Sequence, residues 1–395
     1  MLIALAALSL LIWIYLLLAR GGFWRVSQQL AKTQSRVVAA KRVAVVIPAR
    51  NEADVIGESI TSLLEQEFPA PLDIFLVDDS STDGTANAAR RAAERAGQPG
   101  RLTIIRGKPL PPGWTGKMWA VSQGAARALE LGPDYLLFTD ADIRHGRTNV
   151  AQLVAAAEAG NYDLASYMVL LACQTRAEKA LIPAFVFFFL MLYPPAWIAS
   201  RRFRTAGAAG GCILVRPEAL RKAGGIENIR KEVIDDCALA RAVKRSGGRL
   251  WMGLTHETQS IRSYGGFREI GRMIARTAFN QLHHSAWLLI VAVAGLLVTY
   301  VLPVVLLFMG KPLAGILSAA TWLLMAACYF PMVRFYRRSF LWSFALPGIA
   351  LFYLGATVYS AFQYWRGLGG NWKGRVQDVR PAPLLTRSRE RQRPL

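Results

Sequence analysis

Four stretches of this chain run without an acidic or basic residue for long enough to cross a bilayer, and they flank a single long charged segment. Leu2–Ala19 has 18 residues, Ala286–Met309 has 24, Pro312–Val333 has 22 and Phe340–Trp365 has 26. About 20 apolar residues suffice for a membrane-spanning helix. Residues 20–285 lie between the first and second runs, and these 266 residues are room for one sizeable domain. The balance of 47 Lys and Arg against 26 Asp and Glu gives +21, yet only 18% of the chain is charged. A soluble domain carries about 25%. Intrinsic disorder and an ordinary soluble enzyme are thereby disfavoured. A nucleic-acid binder reaches such a charge without needing long uncharged runs. A transporter is disfavoured because its pathway needs ionisable groups inside the spans.

Leu2–Ala19 lacks a basic leader and a small-x-small cleavage site, so it reads as an uncleaved anchor over residues 1–19. Arg20, Arg25, Lys32, Arg36, Lys41 and Arg42 follow it with no acid among them. The positive-inside rule then places the domain on the cytoplasmic side of a multi-pass membrane protein. Arg334, Arg337, Arg338 and the basic tail (366–395, expected to be disordered) belong on the same side. Four simple crossings within 1–19 and 286–365 cannot satisfy all of these: either one C-terminal run is re-entrant, with Pro347-Gly348 making the last run the suspect, or the tail departs from the rule. A fifth run, Ala180–Ser200, contains Pro183, Pro194 and Pro195. It reads as an interfacial or re-entrant segment, or as a buried core helix. The four cysteines form no C-x-x-C pair and read as reduced thiols.

The domain opens with strand–helix alternation: strands at Arg42–Ile47, Asp73–Val77, Leu102–Ile105 and Tyr135–Phe138, helices at Ala53–Gln66, Thr82–Ala96 and Met118–Leu131. Such alternation predicts an α/β domain with a mainly parallel central sheet and ligands at the carboxyl ends of its strands. Acidic clusters follow apolar segments at Asp78-Asp79, Asp140-Ala141-Asp142 and Asp235-Asp236. Two carboxylates one residue apart at a strand end supply hard oxygen ligands suited to Mg²⁺ or Mn²⁺. The same spacing also occurs in solvated turns, so the pair alone decides nothing.

The company it keeps is more specific. VAVVIPARNEADVIGESI, FLVDDSSTDGT, GKMWAVSQG, AGGCILVRPEAL and GGIENIRKEVIDDCALA occur in this order. The set resembles the family 2 glycosyltransferases, over roughly residues 42–260. With GWTGK at Gly113–Lys117 and the membrane runs, the chain is also similar to the hopanoid-biosynthesis-associated glycosyltransferases. The resemblance implies the GT-A nucleotide-diphospho-sugar fold and an inverting, metal-dependent transfer to a lipid. It implies that Pro48, Ala49, Arg50 and Glu52 line the nucleotide pocket and that Asp78 and Asp79 contact base and ribose. Lys117 would lie by the base or phosphates. Asp140 and Asp142 would hold Mg²⁺ or Mn²⁺, Asp142 as the direct ligand. Asp236 would be the general base, and Asp235 replaces the family's usual Glu. Gly210 and Gly211 would let backbone approach donor or acceptor.

Two further readings come from the residues themselves. His256, after the strand-like Leu250-Trp251-Met252, is a candidate third metal ligand. Arg268, Arg272 and Arg276 share one stripe of a helix over 264–285, opposite Phe267, Ile270, Ile274, Ala278 and Leu282. This predicts an amphipathic helix in the membrane interface, contacting membrane lipids and an acceptor. The Q-x-x-R-W of processive synthases is missing, which favours single-sugar transfer. A polyprenyl phosphate acceptor and a catalytically silent scaffold are the competing readings. No nucleic-acid partner is expected.

Overall fold

The first apolar run folds as helix α1 (Leu2–Ala19) in a computed structural model that describes residues 1–26, 41–309, 311–372 and 375–378. Lys32, Arg36 and most of the basic tail lie outside the described residues. Strand β1 (Val43–Ala49), helix α2 (Ile56–Leu64), β2 (Asp73–Asp78), α3 (Thr85–Arg95), β3 (Leu102–Arg106), α4 (Gly116–Leu129) and β4 (Tyr135–Phe138) follow. Next come β5 (Ile143–Arg144), α5 (Asn149–Ala159), β6 (Leu164–Leu170), α6 (Arg176–Leu192), α7 (Pro195–Ala199), β7 (Ile213–Val215), α8 (Pro217–Lys222), α9 (Asp235–Arg245) and β8 (Leu250–Ser260).

These strands form one eight-stranded sheet in the order β3-β2-β1-β4-β7-β6-β8-β5. β1 pairs in parallel with β2 and β4, and β2 with β3. β7 is antiparallel to both β4 and β6, and β5 to β8. The sheet is buried on both faces, which is why β1 is apolar throughout rather than alternating. Val43, Val45 and Ile47 join Ile56, Ile60 and Leu153 in one core. Ala44 and Val46 join Met118, Val121 and Ala125 in the other. Each fully buried aliphatic side chain contributes about 1.5–3 kcal/mol. Helix α4 lies close on the sheet because of Gly124, where a Cβ would come 2.5 Å from Val46 Cγ1 and 2.9 Å from Val77 Cγ2.

The fifth apolar run leaves the sheet at β6 and returns at β7, its antiparallel neighbour. Both ends of the excursion therefore belong to one sheet, and a single crossing there is excluded. Helix α6 opens with a Thr175–Glu178 capping box, and Leu181, Ile182, Val186, Phe187 and Leu190 are buried. One side of the helix is thus buried against the rest of the protein, as the core-helix alternative requires.

The chain continues through α10 (Phe267–Gln281) and α11 (Ala286–Leu296), which runs through a π-helical turn (Leu297–Val301) into α12 (Leu302–Leu307). Helix α13 (Pro312–Phe335) and, after a 3₁₀ turn at Phe340–Ala345, α14 (Leu346–Trp365) complete the apolar region. Leu11, Leu18, Ile290, Ile316 and Leu323 are each at least 60% exposed. Helices α1, α11–α12 and α13 thus present apolar side chains outward, as a bilayer requires.

Helix α10 differs from expectation in what covers it. Arg268, Arg272 and Arg276 are exposed and Ile270 and Ile274 buried, as the stripe predicts, whereas Phe267 is half exposed and Phe279, outside the predicted face, is buried. The apolar face, however, packs on protein. Phe267 meets Phe352 edge-on at 6.1 Å between ring centroids, and Phe279 meets Tyr364 at 5.5 Å. Helix α14 therefore runs alongside α10 in the same direction. At either end of α6, the Tyr264 N–H donates to Glu178 (2.6 Å) and Gln281 Nε2 to Tyr193 Oη (2.7 Å). The three helices form a layer beside the sheet domain. A short hairpin of β9 (Gly369–Trp372) and β10 (Arg375–Asp378) follows, within the segment that composition assigns to disorder.

Candidate active site

The acidic clusters that end separate apolar segments in sequence converge in space. Asp140 and Asp142 lie on the turn between β4 and β5, and Asp235 and Asp236 open α9. Lys117, in the first turn of α4, bridges them: its Nζ lies 2.8 Å from Asp140 Oδ1 and 3.0 Å from Asp235 Oδ2. Burial opposes its charge, but these two carboxylates hold its pKa above the usual lysine value.

Asp236 accepts hydrogen bonds from Gly210 N (2.9 Å, to Oδ2) and Cys237 N (2.6 Å, to Oδ1). Burial and the charge of Asp235 push its pKa up to about 6, against the pull of Lys117 and the two N–H groups. Gly210 stands between the clusters. A Cβ there would come 3.4 Å from Asp236 Oδ2 and 3.5 Å from Asp140 Oδ2. Gly211 is packed tighter, with Val169 Cγ2 at 3.0 Å from its hypothetical Cβ. Pro48, Lys117, Asp140, Gly210, Asp235 and Asp236 line one cleft, whose floor is apolar, with Phe138, Ile213 and Leu239.

Asp142 faces the other way. Its Oδ2 accepts from Ser260 Oγ at 3.3 Å and lies 3.5 Å from Arg262 Nε. Burial and the neighbouring Asp140 push its pKa up to about 6. Arg262 also pairs with Glu52 and approaches Asp54 at 4.0 Å, so it ties the loop after β8 to the loop after β1. Tyr264 follows; burial and the charge of Asp142 raise its hydroxyl pKa, while Arg276 and Arg262 lower it. Arg276 of the helix stripe is thus within electrostatic reach of this end of the site. The sequence reading missed Arg262, Ser260 and Tyr264. Their signal was a polar cluster after an apolar strand, the same pattern that marked the other three.

The loops after β1 and β2, which the family resemblance assigns to the nucleotide, are stitched together. Arg50 donates to Asp79 O at 2.6 Å and lies 3.8 Å from its carboxylate. Glu52 N donates to Thr85 Oγ1, and Asn51 N to Ser81 Oγ. Asp78 accepts from Ser81 N at 2.9 Å, so it shapes its own turn. Ala49 and Asp79 are buried. Gly107 lies over this pair, where a Cβ would come 3.1 Å from Asp78 O.

His256 is placed elsewhere. Its Nε2 is 2.9 Å from Phe335 O and its ring stacks on Phe335 at 4.0 Å, so it docks β8 to the end of α13. That engagement replaces the ligand role expected of it. Among the described residues no cluster of three or more His, Cys, Asp or Glu is arranged to hold a metal. Asp140 and Asp142 are nonetheless hard oxygen donors of the kind that bind Mg²⁺ or Mn²⁺ jointly with substrate phosphates.

Residues 44–224 match the family model described as Glycosyl transferase family 2. The chain is 24% identical over 263 residues to the 4,4'-diaponeurosporenoate glycosyltransferase of Staphylococcus aureus (strain N315), covering 64% of this chain and 62% of that protein. It is 35% identical over 136 residues to the undecaprenyl-phosphate 4-deoxy-4-formamido-L-arabinose transferase of Serratia proteamaculans (strain 568), covering 33% and 37%. In both cases the chain spans less than two thirds of the relative's length. Among solved structures, the mannosyltransferase PcManGT from Pyrobaculum calidifontis, in complex with GDP-Man and Mn²⁺, superposes with a TM-score of 0.56 at 19% identity, covering 92% of this chain and 99% of that one. Residues 44–224 are therefore similar to the glycosyl transferase family 2 domain, on a GT-A fold joined to several long apolar helices.

Proposed function

We propose that this protein is a membrane-bound, metal-dependent, inverting glycosyltransferase acting on a lipid hydroxyl at the cytoplasmic face, in hopanoid biosynthesis. The observation that carries the reading is the placement of Gly210, with Asp236 on one side and Asp140 on the other. The proposed base and one of the proposed metal-binding carboxylates thus line the same cleft on either side of one glycine. Asp236 takes the acceptor's hydroxyl proton. The acceptor oxygen bonds to the anomeric carbon, and the bond to the nucleoside diphosphate breaks with its electron pair going to the diphosphate. Asp140 and Asp142 would hold Mg²⁺ or Mn²⁺, which when bound neutralises the departing diphosphate. Lys117 orders Asp140 and Asp235 and offers a cation beside the phosphates. The loops of Pro48–Glu52 and Asp78–Asp79 form the nucleoside end.

A lipid acceptor fits the α6, α10 and α14 layer beside the sheet, and the two relatives are named for 4,4'-diaponeurosporenoate and undecaprenyl phosphate. The exposed stripe of Arg268, Arg272 and Arg276 favours a second reading, in which the acceptor is a polyprenyl phosphate held by these guanidiniums. The orientation follows the basic flank, with α1, α11–α12 and α13 as the crossings. Helix α14, paired along α10, is then not an independent span, and three crossings put the loop of Arg334, Arg337 and Arg338 and the tail on the cytoplasmic side together.

The test is mass spectrometry of lipids from cells with and without the gene, followed by transfer assays with the purified full chain. A missing glycosylated hopanoid supports the first reading and a missing polyprenyl-phosphate sugar the second. No change in either, with no transfer in vitro, supports a silent scaffold.

A further inference from the structure

A chain of buried polar groups lies beneath the cleft, and the transfer chemistry does not use it directly. Thr139, His145, Asn149 and Cys212 are all buried. Thr139 Oγ1 lies 2.8 Å from Gly211 O and 3.0 Å from His145 Nε2. Asn149 Nδ2 lies 3.0 Å from His145 Nδ1 and 3.4 Å from Cys212 Sγ.

The direction of these bonds follows from one end. Gly211 O can only accept and is the shortest contact of the Thr139 hydroxyl, at 2.8 Å against 3.4 Å to Asp140 O, so the hydroxyl proton is assigned to it. Its oxygen then accepts from His145, whose proton must be on Nε2. The lone pair is left on Nδ1, where Asn149 donates. Burial holds the imidazole pKa down at about 3, so the ring is neutral and carries that single proton.

The topology gives the chain its meaning. Thr139 precedes Asp140, and Asn149 begins α5, so the imidazole closes the neck of the loop that carries Asp140 and Asp142. The return limb is fixed independently: His145 N donates to Ser62 Oγ (3.0 Å) and Gln66 Nε2 to Gly146 O (2.8 Å), both on or just beyond α2. At the other end, the Gly211 carbonyl lies next in sequence to the Gly210 N–H that donates to Asp236. The bonds therefore run from the base of the two-aspartate loop to the carboxylate on the far wall.

We propose that His145 is a positioning residue: its Nε2–H, acting through Thr139 and the Gly210–Gly211 backbone, sets the separation between the Asp140–Asp142 turn and Asp236. The proposal rests on the transferase reading for what those carboxylates do. A histidine that only fills the core would give the same fold but no dependence of chemistry on the direction of its proton.

The experiment uses the full chain in detergent with lipid, and four variants: His145→Leu, His145→Gln, Thr139→Val and Thr139→Ser. The measurements are kcat, KM for the nucleotide sugar, Mn²⁺ dissociation constant by paramagnetic resonance, and melting temperature. Misplacement of reacting groups by about 1 Å costs roughly 10²-fold. His145→Leu and Thr139→Val should therefore lower kcat by about 10–100-fold, with KM and Mn²⁺ affinity within about 3-fold. His145→Gln and Thr139→Ser, which keep a donor and a hydroxyl, should recover most of the loss. Equal kcat in His145→Leu and wild type, or equal loss in the Leu and Gln variants at equal melting temperature, overturns the proposal. Should His145→Leu fail to fold, nitrogen-15 spectra of the wild-type histidines decide instead: a ring protonated on Nδ1, or charged at pH 6, overturns it. A wild type that transfers no sugar refutes the transferase reading, whereas active wild type with unaffected variants refutes only the role of His145.

Discussion

Arg262 Nε stands 3.5 Å from Asp142 Oδ2, so a guanidinium occupies the approach to the carboxylate proposed as the direct metal ligand. A monovalent side chain and a dication compete for the same oxygen. Arg262→Ala should tighten Mn²⁺ binding in the absence of nucleotide by about 3–10-fold, the scale of one partly screened charge contact. Calorimetric titration with metal alone checks this; unchanged or weaker binding would show that Arg262 does not compete for the site.

Asp236 and Asp142 are separable by a crossed pair of variants. Asp236→Asn should keep nucleotide-sugar affinity within a few fold while kcat falls by about 10²–10⁴, the usual contribution of a general base. Asp142→Asn should weaken binding of the donor in the presence of metal. Donor affinity by calorimetry and turnover with a lipid extract give both quantities. Should Asp236→Asn lose donor affinity and keep its turnover, Asp235 becomes the base.

The pH dependence carries a sign. Asp236 must be ionised to accept a proton, and its pKa is pushed up to about 6. Turnover should fall about tenfold per pH unit below 6 with metal saturating. The stability effect runs the opposite way. A carboxyl whose folded pKa is raised favours the fold fully below its unfolded value near 3.8, and that contribution is lost as pH rises through 6. Asp236→Asn should therefore melt higher than wild type at pH 7.5 and no higher at pH 4. A variant less stable at both pH values would show that the ionised carboxylate is well solvated.

Membrane orientation is open to cysteine labelling. Arg90 and Arg245 lie on exposed helix surfaces of the sheet domain, and Lys311 is exposed in the turn between α12 and α13. Cysteines at 90 and 245 should label from the cytoplasmic side and a cysteine at 311 from the opposite side. Labelling of 90 and 245 from different sides would contradict the common sheet that joins β6 to β7.

The parallel half of the sheet was legible because its signals are local. The strand at Tyr135–Phe138 is formed as read, and β1 to β3 differ only by a residue or two at their ends. Each is a β-branched or aliphatic run closed by a polar turn. β7 was not legible, since three residues, Ile213–Val215, carry no periodicity, and its antiparallel place between β4 and β6 depends on contacts distant in sequence. Lys117 was readable as a candidate from its motif. Arg262 follows a strand as the acidic clusters do, but its contacts were not readable because its partners Glu52 and Asp142 lie on other strands' loops. His145 was hidden for the same reason. Alone in sequence it is one histidine after an acidic turn; its bonding to Thr139 and Asn149 appears only when the loop closes. The exposed arginine stripe of α10 followed from spacing, whereas the identity of the apolar partner, α14 rather than lipid, did not.

The π-helical turn at Leu297–Val301 bears on how the protein is made. Pro303 has no N–H to offer the carbonyl of Thr299, and Trp13 Nε1 supplies the missing donor at 2.9 Å while Ser9 Oγ serves Val298 O at 2.8 Å. The donors belong to helix α1, and their acceptors lie 289 and 286 residues later in the chain. Until the later segment is made the indole N–H lacks this acceptor, and in hydrocarbon the two carbonyls would have no other donor. The N-terminal helix is thus one half of a delayed assembly step rather than an interchangeable tether. An equally apolar leader lacking Ser9 and Trp13 would insert just as well, yet leave the second helix with an unfilled seam where the two should have joined.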